Sequence, residues 1–112
     1  MKIEQRSKNN VEILELAGEL DFHSSPELRE KLQELIKKQA AKILINLKKV
    51  SYIDSSGLAT FVETLQKMKR QSGRLILSDL APAVRSVFEI AKLDHIFQLT
   101  GSEQEALVML EK

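Results

Sequence analysis

Ile43-Leu44-Ile45-Asn46-Leu47-Lys48-Lys49-Val50-Ser51-Tyr52-Ile53-Asp54-Ser55-Ser56-Gly57-Leu58 (ILINLKKVSYIDSSGL) passes from a strand pattern into a helix pattern. Residues 43–47 form an apolar run with almost no polar alternation, which predicts a strand covered on both faces and central in its sheet. Beyond Asp54, Ser55, Ser56 and Gly57, the side chains of Leu58, Phe61, Val62, Leu65 and Met68 recur at helical spacing. They predict a helix that stops near Ser72-Gly73 at a C-cap glycine.

Outward from this unit the same alternation continues. Residues 2–6 and 11–17 read as two strands joined at Lys8-Asn9-Asn10, whose asparagines tolerate the left-handed conformation of a hairpin turn, and Gly18 ends the second. Ser25-Pro26 reads as an N-cap followed by proline at the first helical position, and Leu28, Leu32, Leu35 and Ile36 carry that helix to about Gln39. Arg74-Leu75-Ile76-Leu77-Ser78 reads as another strand. Pro82 opens a third helix bearing Val84, Val87, Phe88 and Ala91, with Ala81 a poor cap. Residues 95–99 predict a short last strand, and Ser102-x-x-Glu105 is a capping box opening a terminal helix with Ala106, Leu107 and Leu110. The order ββαβαβαβα predicts an α/β fold: a small mixed sheet of about four to five strands, its antiparallel edge the N-terminal hairpin, packed with about four helices. No repeat or linker-like composition divides it, so residues 1–112 are expected to form a single domain.

Composition narrows the functional classes. The 112 residues are 43% hydrophobic and 29% charged, the balance of a folded domain able to bury a core without disulfides. Seventeen basic and 16 acidic side chains give a formal net charge of +1, and they are interspersed. That argues against nucleic acid and against an anionic membrane surface as partners. There is no cysteine, which removes thiol catalysis and Cys-ligated zinc and fits a reducing compartment. The N-terminal residues MKIEQRSKNN hold no apolar signal segment, and a cytoplasmic, unanchored protein is expected. His23 and His95 have no companions at metal spacing, so each reads as a surface or capping histidine, and neither metal nor cofactor is expected. Tyr52 is expected to pack at a strand end, and Met68 and Met109 to fill core.

Binding sites of such sheets gather where strands hand over to helices. Asp54 at that handover explains itself as a helix cap, favoured by both hydrogen bonding and the helix dipole. The two serines differ in direction. Measured from the mean direction of Leu58, Phe61, Val62 and Leu65, Ser55 lies roughly 90° away and Ser56 roughly 180°. Ser56, Thr60, Glu63 and Lys67 would then form an outward polar stripe with Ser56 at its tip. Gly57 removes a side chain beside it, so that a backbone or a phosphate can approach closely. The residues alone leave two readings open: a phosphoacceptor or anion site, and a plain helix cap.

Gly18-Glu19-Leu20-Asp21, Ile45-Asn46-Leu47, Tyr52-Ile53-Asp54-Ser55-Ser56-Gly57-Leu58 and Ala81-Pro82-Ala83-Val84-Arg85-Ser86-Val87-Phe88 together resemble the STAS domain of bacterial anti-sigma factor antagonists. The resemblance spans nearly the whole chain. It implies a regulator, not an enzyme, that binds an anti-sigma factor which is also a serine kinase and so frees the sigma factor. It implies phosphorylation on Ser56 that switches binding off, and a PP2C-type phosphatase that resets the switch. The partner surface it implies comprises the loop with Asp21, Ser24 and Ser25 and the helix start with Asp54, Ser55, Ser56, Gly57, Leu58 and Thr60. Ala59 departs from the second glycine of many members, which bears on partner choice. Phosphate adds a charge of about −1.5 to −2, welcome at a helix N-terminus but opposed to docking on an acidic surface and costly to desolvate.

Two rival chemistries fit poorly. A serine hydrolase elbow needs glycine two residues before the nucleophile, which neither serine has. A phosphoaspartate receiver needs an acidic pair after its first strand, which MKIEQRSKNN lacks. The stronger rival stays within the fold: a STAS subunit docked constitutively on a transporter ATPase or a stress-signalling scaffold, with no phosphorylation cycle.

Overall fold

Asn9 and Asn10 take φ values of 51° and 66°, the left-handed pair of a tight hairpin turn, and join β1 (Lys2–Lys8) to β2 (Val11–Leu20). The structure, a computed structural model, describes residues 1–111; Lys112, the last residue of the expected domain, lies outside them. Three crossovers and a terminal helix follow: α1 (Ser25–Lys37), β3 (Lys42–Ile53), α2 (Ser55–Arg70), β4 (Arg74–Ser78), α3 (Pro82–Ile90), β5 (Gln98–Thr100) and α4 (Glu103–Leu110). The sheet order is β1-β2-β3-β4-β5, antiparallel at the β1–β2 edge and parallel elsewhere. This is the expected mixed sheet with four helices, β3 in the middle.

Several boundaries move for physical reasons. Gly18 does not end β2; the strand runs on to Leu20 through two register shifts, with Gly18 at φ +113° between them. A bulged strand keeps its ladder while it twists. β3 likewise continues past Leu47 to Ile53, so Val50 to Ile53 are strand, paired with β2 and flanked by α3 where β4 has ended. The last strand is Gln98–Thr100 instead of 95–99, because Ile96 and Phe97 donate their N–H groups to the Leu93 carbonyl in a turn. At the end of α2 the left-handed residue is Ser72 at φ 58°, one before the expected glycine.

The two sheet faces are unequally covered. α1, α2 and α3 bury Leu28, Leu32, Phe61, Met68, Val84 and Phe88 against Leu14, Leu16, Ile43, Ile45 and Leu77. Phe61, Phe88 and Phe97 pack as a ring cluster with centroids 6.2 and 5.6 Å apart. On the opposite face α4 alone seats Ala106, Leu107 and Leu110 on Val11, Ile13, Leu44 and Ile76. Its first turn is capped as expected, Ser102 Oγ accepting the Glu105 N–H at 3.1 Å. Ala81 offers α3 no side-chain cap. Because α1 and α2 each start where a strand has just ended, β2 and β3 deliver both helix starts to one rim of the sheet.

Candidate functional site

That rim brings together the β2–α1 loop and the first turn of α2. Asp54 N–H donates to the Leu20 carbonyl at 3.1 Å, carrying the strand pairing one residue beyond the strands. The Asp54 carboxylate then serves two segments. Oδ1 accepts the N–H groups of Ser56 (2.9 Å) and Gly57 (3.2 Å), capping α2, and Oδ2 accepts the Phe22 N–H at 3.1 Å. Asp21 organises the loop in the same manner: its Oδ1 accepts from His23 N–H at 2.9 Å and Ser24 N–H at 3.1 Å. These bonds, the Ser24 N–H foremost, hold the Asp21 carboxyl below its ordinary range. Ser24 Oγ donates to the Glu19 carbonyl at 2.7 Å and accepts the Asp21 N–H at 2.9 Å. Ser24 precedes α1 without capping it, and Ser25, expected as the cap, is the first helical residue and is buried.

Helix orientation corrects the outward stripe. The buried residues of α2 are Gly57, Thr60, Phe61, Thr64, Leu65 and Met68, whose mean direction is rotated by roughly 80° from the stripe drawn through leucines, valine and phenylalanine. The threonines cause the rotation. Thr60 Oγ1 donates to the Ser56 carbonyl at 3.0 Å and Thr64 Oγ1 to the Thr60 carbonyl at 2.8 Å, so each hydroxyl is satisfied inside its own helix and can be buried. Thr60 is therefore 5% exposed and points inward instead of lying on an outer stripe. Glu63 and Lys67 face α1, where Glu63 accepts from Arg29 Nε at 2.9 Å and from Lys67 Nζ at 2.9 Å. Those cations, Arg29 first, hold the Glu63 carboxyl down to about 2.

The same rotation changes the serines. Ser55 is exposed and Ser56 half-buried, the reverse of the expected order. Gly57 is buried: a Cβ there would lie 2.7 Å from Leu20 Cγ and 2.8 Å from Ile53 Cγ1, so the glycine lets α2 pack against its own rim. Leu58 is half-buried, Ala59 exposed, and Asp21 and Asp54 are half-buried within the loops they tie.

At the rim one residue carried no reading in the sequence and another departs from its reading. Phe22, in the β2–α1 loop, is 73% exposed, and Tyr52, expected to pack at a strand end, is 49% exposed because it pairs with Glu19 at a strand position pointing away from the three-helix core. The available signal was an aromatic in an otherwise polar loop, Asp21-Phe22-His23-Ser24. Among the described residues no group of three or more His, Asp or Glu is placed to hold a metal ion, and no helix is long and apolar enough to cross a membrane.

Residues 2–106 match the STAS domain family. The chain is 38% identical over 100 residues to an anti-sigma-B factor antagonist of Bacillus subtilis, covering 89% of this chain and 90% of that one. Its fold superposes on a putative anti-sigma factor antagonist from Thermotoga maritima with a TM-score of 0.94, at 23% identity and over 98% and 95% of the two chains. It also superposes on the Bacillus cell fate determinant SpoIIAA in its phosphorylated form, with a TM-score of 0.78 and 26% identity over 97% and 99%.

Proposed function

Since the chain belongs to the STAS domain family of anti-sigma factor antagonists, we propose that its unphosphorylated form binds an anti-sigma factor serine kinase and releases the sigma factor, and that phosphorylation of Ser56 ends that binding. The observation that carries this reading is the capped first turn of α2, which places Ser55 and Ser56 at an accessible sheet rim beside the Asp21 loop. In the transfer, the γ-phosphoryl of ATP moves to Ser56 Oγ, the hydroxyl proton passes to a base on the kinase, and ADP leaves. The fold tolerates the product, because a phosphate at N2 of a helix meets the positive end of the dipole, while the Asp54 carboxylate keeps the N–H groups of Ser56 and Gly57 capped.

The rim's own acids refine the basis of the switch. Asp21, Asp54 and Glu19 lie on this side of the interface, so the complementary protein surface is not acidic. The anion that opposes phosphoserine is the nucleotide held by the kinase, which faced the acceptor hydroxyl during transfer. Docking would set a charge of about −1.5 to −2 against those phosphates and strip its water, and both effects weaken the complex. A PP2C-type phosphatase restores the hydroxyl. The cycle runs in the cytoplasm, beside the transcription machinery.

Incubation with the kinase and ATP, followed by phosphosite mapping, tests the assignment. Ser56→Ala is expected to block phosphate uptake and keep binding, Ser56→Asp to fold and bind poorly, and Ser55→Ala still to accept phosphate. Since Ser55 is the more exposed hydroxyl, phosphate found there reassigns the acceptor. Phosphate on neither serine with an active kinase favours the constitutive docking subunit.

A further inference from the structure

We propose that Phe22 is the apolar anchor of the docking surface, inserting into an apolar pocket of the anti-sigma factor that has a basic side chain at its rim; this rests on the antagonist reading above. Phe22 is 73% exposed, the most exposed aromatic ring beside the candidate site. Of the other large exposed apolar side chains, Tyr52 (49% exposed) shares this rim near the end of β3, and the rest lie elsewhere. Ile90 ends α3 and Ile96 precedes β5, both at the opposite end of the strands, and Val108 is on α4 across the sheet.

Its backbone is held on both sides. Asp54 Oδ2 accepts the Phe22 N–H at 3.1 Å, Asp21 Oδ1 accepts the next two N–H groups, and the Asp21 carbonyl accepts the Ser25 N–H at 2.8 Å. The His23 ring stands edge-on to Phe22 with centroids 5.8 Å apart. An aromatic ring has few rotatable bonds, and this one sits on a tied loop, so little ordering entropy remains to be lost on docking. A rigid, solvent-facing aromatic is the residue type that dominates interface energetics when a partner pocket encloses it.

Charge indicates what borders that pocket. Glu19, Asp21 and Glu27 line a cleft of about 280 Å³ next to Phe22, together with Met1, His23 and Ser24. The cleft admits one arginine or lysine side chain, and three carboxylates around it favour that cation over a neutral group. Ser56 lies on the other side of the Asp54 bridge, so the cation contact and the nucleotide contact are separate parts of one surface.

Calorimetric titration of the cognate anti-sigma factor into wild type, Phe22→Ala, Phe22→Leu and the distant control Ile90→Ala decides the matter. Phe22→Ala is expected to raise Kd about 30-fold or more, Phe22→Leu by less than about 10-fold, and Ile90→Ala by less than about 2-fold, with melting temperatures unchanged. Glu27→Gln is expected to reduce the loss of affinity that added salt produces in wild type. Binding by Phe22→Ala within about 3-fold of wild type overturns the anchor and leaves the antagonist reading standing. No binding by wild type overturns both. A wild-type dimer in sedimentation that Phe22→Ala converts to monomer makes the occupant a second copy of this chain, and overturns the anti-sigma factor as the partner of this ring.

Discussion

The Asp54 carboxylate and the Phe22 N–H meet at 3.1 Å across 32 residues of sequence, while the other Asp54 oxygen caps α2. One side chain thus couples the helix bearing the serines to the loop bearing the exposed ring. Asp54→Ala is expected to cost about 1–2 kcal/mol, the range for losing an N-cap, and to lower the melting temperature by about 4–8 °C per kcal/mol in a domain of this size. Amide exchange at Phe22 should accelerate with it. Asp54→Asn keeps one acceptor for the α2 cap but sets an NH2 donor against the Phe22 N–H, so about 1 kcal/mol or less should be lost in thermal unfolding while amide exchange at Phe22 still accelerates.

Gly57 has no room for a Cβ between Leu20 and Ile53. Gly57→Val is therefore expected to destabilise the fold by about 1–3 kcal/mol, the usual cost of overpacking a filled core. The measurement is the urea midpoint at constant slope. An unchanged midpoint with impaired binding would return Gly57 to the role of admitting a partner.

Thr60 separates packing from contact. Thr60→Arg places an unpaired charge where α2 meets the core, and a loss of about 3 kcal/mol or more is expected. Thr60→Val keeps the shape and drops a hydrogen bond whose acceptor, the Ser56 carbonyl, also lies in the helix ladder; about 1 kcal/mol or less should follow. Circular dichroism melts of the two variants read the difference directly.

Glu63 gives the α1–α2 contact an acid dependence. Its folded carboxyl is held down to about 2 against an ordinary 4.5, chiefly by Arg29 and then by Lys67. A depressed carboxylate stabilises above its unfolded value and loses that contribution as pH falls through its folded value. Wild type should therefore exceed Glu63→Gln by about 1 kcal/mol or less above pH ~5, as expected for a solvent-screened pair, with the gap closing toward pH ~2. Denaturant titrations of both proteins from pH 7 to pH 2 measure it, and added salt should narrow the gap at pH 7.

The element order, the middle position of β3, the Asn9-Asn10 turn and the caps at Asp54 and Ser102 were legible in the sequence, because each depends on residues within a turn or two of one another. Period, propensity and capping are local properties. The bulged extension of β2 past Gly18 was not, since it is the neighbouring ladder to β3 that keeps the strand going.

At the site the division follows the same physics. The sequence by itself determined that an acid, two hydroxyls and a glycine open a helix at the end of a strand, and which family that pattern resembles. Only the tertiary structure decided which way the helix faces. Buried threonines, whose hydroxyls bond back to their own helix, turned Thr60 inward and left Ser55 more exposed than Ser56. A polar side chain in a sequence pattern does not state whether its hydrogen bond lies in water or in its own backbone. Likewise Gly57 looked like an opening and is a packing contact, and Phe22 became visible as a site residue only once Asp54 reached it from β3's end, a contact between segments that no local pattern encodes.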